Sequence, residues 1–169
     1  RRIFSELYPR WPEHEVPVAH ITNGVHVPSW DSPWADGIWT QACGKERWRG
    51  TLEAHAEAIG RLPDATLWTL CSEERADLVN YARQRHARQL GQRGADAQQV
   101  AAAQAALDPN ALTIGYARRF TEYKRPNLLL HDADRLARLL TRSDRPVQLI
   151  VAGKAHPQDE QGKQFVQAW

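Results

Sequence analysis

Arg118, Arg119, Lys124 and Arg125 place four cations in the eight residues "RRFTEYKR". They follow directly on "ALTIGYA" (111–117), an apolar run that reads as a buried strand. Exposed neighbouring cations repel by about 1 kcal/mol per pair, and a bound anion relieves that repulsion. Guanidinium forks, an ammonium group and the free amides at a following helix start are the groups that hold phosphate or carboxylate. Two readings stay open: an anion site, or a loop neutralised by Glu122 and by acids elsewhere. Tyr123 reads equally as a hydroxyl donor to the same anion and as an aromatic packed at a helix start.

Other candidate chemistry is weaker. "VAGKAHP" (151–157) invites comparison with a phosphate-binding P-loop, but Gln148 stands where that pattern needs Gly, and Ala155 where it needs Ser or Thr. Lys154 still falls at a strand end, either approaching the same crevice or serving the turn. His14, His20 and His26 lie six apart, a spacing that fits neither one helix face nor a familiar metal motif, so they are read as non-ligating. No nucleophile triad or close carboxylate pair stands out.

The cations need elements to hold them. "ALTIGYA" and, at about 146–152, "PVQLIVA" read as strands, and "RPNLLLHDADRLARLL" between them as a helix. Its Pro126 suits a first turn, and Leu129, Ala133, Leu136 and Leu140 form its stripe. A further helix is expected from about residue 157. Strand, helix, strand, helix predicts an α/β fold with a parallel sheet, and in such sheets ligands bind beyond the strands' carboxyl ends. Upstream, helices are expected over about 45–61, 65–91 and 96–107. Asp64 is the expected N-cap of the second, and Gly91 and Gly94 its stops. Leu67, Leu70, Leu78, Val79 and Ala82 form its apolar face, and Arg83, Arg85, Arg88 and Arg93 a solvated end. Before these, "VPVAHI" (16–21) reads as a strand or the approach to one, "TNGVHVP" (22–28) as a sharp bend, and 29–50, with Trp30, Trp34, Trp39 and Trp48, as a loop-rich cap.

Composition bounds the function classes. With 42% hydrophobic and 25% charged residues the chain can bury a core. Twenty-two basic against 20 acidic residues give only +2, which argues against a general polyanion or nucleic-acid binder and makes any basic site local. Cys43 and Cys71 have no metal-like spacing and read as free thiols in a reducing compartment. No run is long enough to span a membrane, and "RRIFSELYPRWPEHE" lacks a signal-peptide core, so a soluble cytoplasmic protein is expected. The absence of Met, a last helix without a stop signal, and only two strands together suggest a segment of a longer protein.

"HITNGVHVPSW" (20–30), "LTIGYARRFTEYKRPNLLL" (112–130) and "RPVQLIVAGKAHPQDEQGK" (145–163) resemble, in order, three blocks of the α-glucan (glycogen and maltodextrin) phosphorylase family, especially its shorter bacterial and archaeal members. The resemblance implies the two-domain GT-B architecture. Residues 1–27 would be the tail of the N-terminal domain with the inter-domain crossing, and residues 28–169 the start of a C-terminal Rossmann-like domain that binds pyridoxal 5'-phosphate. It implies a glycosyltransferase that cleaves terminal α-1,4 bonds of a glucan with orthophosphate, releasing glucose 1-phosphate with retention, and whose full-length form is a homo-oligomer. Two phosphates side by side demand fixed cations in a water-poor cleft.

Position by position, the resemblance assigns Arg119 and Lys124 to the substrate phosphate and the cofactor phosphate. It gives Arg118 to the cofactor phosphate, although longer members have Lys there, and sets Tyr123 beside the phosphates. Asn23 would bond the glucosyl ring, with Gly24 letting the chain pass close. Glu122 and Arg125 are read as a salt bridge or loop support. The Schiff-base lysine and its Gly-rich motif match no part of this chain, so these residues alone are expected to bind the cofactor poorly and to catalyse nothing. Two other readings remain: a nucleotide-sugar glucosyltransferase resembling glycogen or starch synthases, which also clamp a diphosphate with an Arg-x4-Lys pair, and a non-catalytic carbohydrate-binding module using Trp30, Trp34 or Trp39. The "KRP" after Arg-x4 and the "HITNGVHVP" block favour phosphorylase.

Overall fold

Most helices of this chain begin where a side-chain oxygen or a proline can serve the first free amides. The computed structural model describes residues 2–49 and 53–169. They fall into two units, 1–59 and 60–169.

In the first unit a 3-10 turn over Arg2–Leu7 precedes helix α1 (Val27–Trp30), α2 (Pro33–Cys43), a 3-10 turn over Arg47–Arg49, and α3 (Glu53–Gly60), whose last residue opens the second unit. Ser32 caps α2 by accepting from the Ala35 amide at 3.0 Å, with Pro33 in its first turn. Gly44, at φ +85°, ends it. Of the segment 29–50, expected as a loop-rich cap, the described residues 29–49 are mainly helical, because Ser32–Pro33 starts a helix that its aromatics then decorate. "VPVAHI" forms no strand, and the "TNG" stretch no hydrogen-bonded turn. Gly24 keeps an ordinary φ. The start of the helix expected from residue 45 is a 3-10 turn, and residues 50–52 of that expectation lie outside the described residues.

In the second unit α4 (Asp64–Gln92) packs along α5 (Ala97–Ala105); Leu70, Val79 and Ala87 of α4 and Ala103 of α5 are buried. Asp64 is the first helical residue and not the cap, since extended Pro63 takes the cap position and lacks a side-chain acceptor. Gly91 stays helical, and Gly94 at φ +79° lies just past the helix end. Leu78 is exposed, outside the apolar face. Arg83 is half-buried and structural: its Nε donates to the Ala106 carbonyl at 2.6 Å and its Nη2 to the Leu107 carbonyl at 2.8 Å. Arg75 likewise donates to the Pro109 carbonyl at 2.6 Å. These bonds tie α4 to the segment that leads into the sheet. Asp96 and Gln99 form a reciprocal capping box at the start of α5.

Strands β1 (Leu112–Ala117) and β2 (Val147–Ala152) pair in parallel, in register from Leu112 opposite Val147 to Ala117 opposite Ala152. Gln148 fixes the entry to β1, bonding both the amide and the carbonyl of Asp108 at 2.8 Å and the Thr113 hydroxyl at 2.7 Å. The crossover carries 3-10 turns over Glu122–Lys124 and Leu128–Asp132, then α6 (Ala133–Leu140), which packs on β2 with Leu136 and Leu140 half-buried. The helix does not begin at Pro126. Proline bars the preceding residue from right-handed helix, and Arg125 adopts the left-handed region instead, at φ +46°. The α-helix waits for Asp132, whose carboxylate accepts from the Arg135 amide at 2.9 Å. Helix α7 (Glu160–Gln167) starts three residues later than expected, where Asp159 accepts from the Gly162 amide at 2.8 Å.

Candidate functional site

Parallel pairing sends both strands out of the sheet at the same end, so the residues after Ala117 and Ala152 emerge side by side. The ladder runs on past the strands: the Arg118 amide donates to the Ala152 carbonyl at 3.2 Å, and the Phe120 amide to the Lys154 carbonyl at 3.1 Å. Phe120, 3% exposed, anchors the basic loop, its ring edge-on to Tyr116 with centroids 5.9 Å apart. Two glycines make room for it. A Cβ on Gly153 would stand 2.1 Å from the Arg118 carbonyl oxygen and 2.8 Å from the Phe120 ring, and one on Gly162 would stand 2.5 Å from the Phe120 carbonyl oxygen. Pro126 is buried at the loop's far end.

The outcome is a shallow, open concavity, about 410 Å³, lined by the exposed residues Ala117, Arg118, Arg119, Ala152, Gly153 and Lys154. Among the described residues, none of Arg118, Arg119, Lys124, Arg125 or Lys154 makes an ion pair. Glu122 does not neutralise the cluster. Its link to Arg125 is a backbone bond, the Arg125 amide donating to the Glu122 carbonyl at 2.9 Å, in place of the expected salt bridge.

The sequence candidates thus divide. Arg118 and Arg119 share the concavity, and Lys154, read two ways from the sequence, joins them. Lys124 and Tyr123 sit further along the same loop. The Lys124 ammonium lies 5.6 Å from the Tyr123 ring centroid, and the ring is 75% exposed. Asn23 and Gly24 belong to the first unit, where both are exposed and open space surrounds the Gly24 Cα. Tyr116, Thr121 and Asn127 were not singled out by sequence. Their side-chain oxygens are shielded from solvent and find no hydrogen-bond partner among the described residues, and all three flank the basic loop.

The first unit has a cavity of about 400 Å³ lined by Val27, Trp39, Cys43 and Trp48, with Arg47 and Asp31 on its wall. Its cation is already matched. Arg47, with its side chain 8% exposed, pairs with Asp31 and with Asp36 at 2.7 Å, and Lys45 reaches Asp36 at 2.8 Å. Bonds from Lys45 and then Arg47 hold the Asp36 carboxyl down to about 2. That cluster is internally balanced, unlike the loop after β1. Cys43 and Cys71 are unpaired thiols. No helix among the described residues is long and apolar enough to cross a membrane.

Comparison with known proteins bears on the same residues. The chain is 39% identical over 167 residues to "Glycogen phosphorylase" of Mycobacterium tuberculosis, a match covering 99% of this chain and 19% of that protein. It is 36% identical over 160 residues to "Glycogen phosphorylase" of Aquifex aeolicus, covering 92% of this chain and 22% of the relative. To "Maltodextrin phosphorylase" of Thermococcus litoralis it is 33% identical over 168 residues, covering 98% and 20%. The chain therefore spans about a fifth of the length of the curated relatives it matches. No family profile matches it, and no solved structure does.

Proposed function

We infer, from the chain's membership of the glycogen and maltodextrin phosphorylase family, that its basic loop is the phosphate-binding part of a glucan phosphorylase. The observation that carries this is the concavity at the ends of β1 and β2, where Arg118 and Arg119 meet without an anionic partner among the described residues. The proposed reaction adds orthophosphate across the terminal α-1,4-glucosidic bond. The C1–O bond breaks, the glucosyl unit joins a phosphate oxygen as glucose 1-phosphate, and the shortened glucan leaves with a proton on its new hydroxyl.

In this reading Arg119 and Lys124 hold the phosphates, and Arg118 the phosphate of pyridoxal 5'-phosphate. The donor set fits a phosphate group, being guanidinium and ammonium groups that make no ion pair among the described residues. When bound, that cofactor supplies a phosphate able to exchange a proton with the substrate phosphate. The chain's own residues keep two like charges close, orient the substrate phosphate, and leave Tyr123 free to offer its hydroxyl. Asn23 hydrogen-bonds the glucosyl ring and Gly24 gives the backbone room beside it. Residues 1–27 close the N-terminal domain and residues 28–169 open the C-terminal domain of a GT-B enzyme, cytoplasmic and homo-oligomeric.

The test is release of glucose 1-phosphate from maltodextrin by the intact protein carrying this segment. Orthophosphate dependence is expected. Arg119→Gln should lower kcat/KM for phosphate by about 10²–10³-fold, the scale of a lost charge-stabilising donor. Glucosyl transfer from a nucleotide sugar without phosphate demand would instead establish a glucosyltransferase. A sugar-binding module keeps one observation, Trp30 at 78% exposed. Loss of glucan binding in Trp30→Ala, without any phosphate-dependent turnover in the parent protein, would establish it.

A further inference from the structure

Lys154 follows β2 as Arg118 and Arg119 follow β1, and the backbone holds the two exits together. Its carbonyl accepts the Phe120 amide at 3.1 Å, so its position relative to the basic loop is set by the main chain. Gly153 packs on the Arg118 carbonyl and allows no slack between the two segments. The Lys154 side chain carries none of this. It is exposed, lines the concavity with Arg118 and Arg119, and makes no ion pair among the described residues. The nearby acids are otherwise engaged: Asp159 caps α7, and Glu160 pairs with Lys163 at 2.5 Å.

We propose that the Lys154 ammonium is a further ligand of the phosphate site, binding from the β2 side the phosphate that Arg118 and Arg119 grip from the β1 side. Guanidinium forks fix the orientation of phosphate oxygens, and an ammonium adds a compact charge that tolerates small shifts of the anion. The proposal rests on reading the basic loop as a phosphate site. The bound group is a phosphate from either of two sources, free orthophosphate or the phosphate ester of a cofactor.

The experiment compares the intact protein with Lys154→Gln and Lys154→Arg. Calorimetric titration with inorganic phosphate, which needs no turnover, should show affinity falling about tenfold in Lys154→Gln and largely restored in Lys154→Arg, at unchanged thermal midpoint. If orthophosphate is the ligand, KM for phosphate rises with KM for glucan unchanged. If the ester is the ligand, loss of pyridoxal phosphate absorbance on dialysis accelerates instead. Parental phosphate affinity in Lys154→Gln, with parental cofactor retention, overturns the inference while leaving the basic loop's role intact, provided Arg119→Gln weakens phosphate binding. A parent protein that binds neither phosphate nor the cofactor overturns both.

Discussion

Gly153 lies so close to Arg118 that a Cβ on the glycine would stand 2.1 Å from the arginine's carbonyl oxygen. The contact lets the chain after β2 rest on the chain after β1, and it sets the spacing of the cations at the sheet's end. Gly153→Ala must move one segment or the other, and the obstacle is backbone, which does not swing aside. A loss of about 1–3 kcal/mol is expected, with weaker phosphate binding. Denaturant titration and phosphate calorimetry on one sample read both. Wild-type values for the two would show that the segments separate at no cost.

The buried Tyr116 hydroxyl has no hydrogen-bond partner among the described residues, while its ring packs on Phe120. Deleting the oxygen removes a desolvated group and keeps the packing. Tyr116→Phe should be neutral or stabilising by up to about 1 kcal/mol. A drop in melting midpoint of several degrees would mean that the hydroxyl has a partner in solution.

Arg83 joins α4 to the carbonyls of Ala106 and Leu107, 23 and 24 residues away. Its fork satisfies two acceptors at once beside Leu107, whose φ of +66° is left-handed. Arg83→Ala should cost about 2–3 kcal/mol, and Arg83→Lys should recover only part, because an ammonium cannot span both carbonyls. Equal stability of the Lys variant and the parent would reduce the fork to a single bond.

Acid should loosen the first unit through Asp36. Its folded value of about 2 lies below its unfolded value of 3.8, owing to Lys45 and then Arg47. The unfolded chain therefore takes up a proton first, and the stabilisation, complete above about pH 5, is lost as pH falls through 3.8 toward 2. Melting midpoints from pH 5 to 2 should fall less steeply in Asp36→Asn. Asp144, held below its usual range by Arg142, acts with the same sign in the second unit, so the slope is reduced and not abolished. An unaltered slope in the variant would remove Asp36 from the account.

The parallel strands were legible because "LTIGYA" and "VQLIVA" are short apolar runs, each followed within two residues by a cation, and the crossover's length between them leaves room for a helix. The placement of the basic loop was legible for the same reason: charge stood where a strand ended. Its shape was not. Pro126 suits a helix's first turn, yet its effect on Arg125 ended one helical possibility and delayed α6 to the Asp132 cap. Asp64 had the right chemistry for a cap, one residue too late. Arg83 looked like a solvated helix end because its partners are main-chain carbonyls, and a carbonyl leaves no mark in a sequence. Lys154 stayed ambiguous until the register put Ala152 beside Ala117. Gly153 and Gly162 were silent, since the need for an absent Cβ depends on a neighbour brought close only by folding.

Phe120, Pro126, Gly153 and Gly162 hold the loop's path, while Arg118, Arg119 and Lys154 rest on it and make no salt bridge among the described residues. Scaffold and charge are thus separable in the gene. A combinatorial library that randomises codons 118, 119, 124 and 154 and freezes the other four should retain folded members at high frequency. Calorimetry with inorganic phosphate on those members would then read the effect of charge apart from the effect of folding.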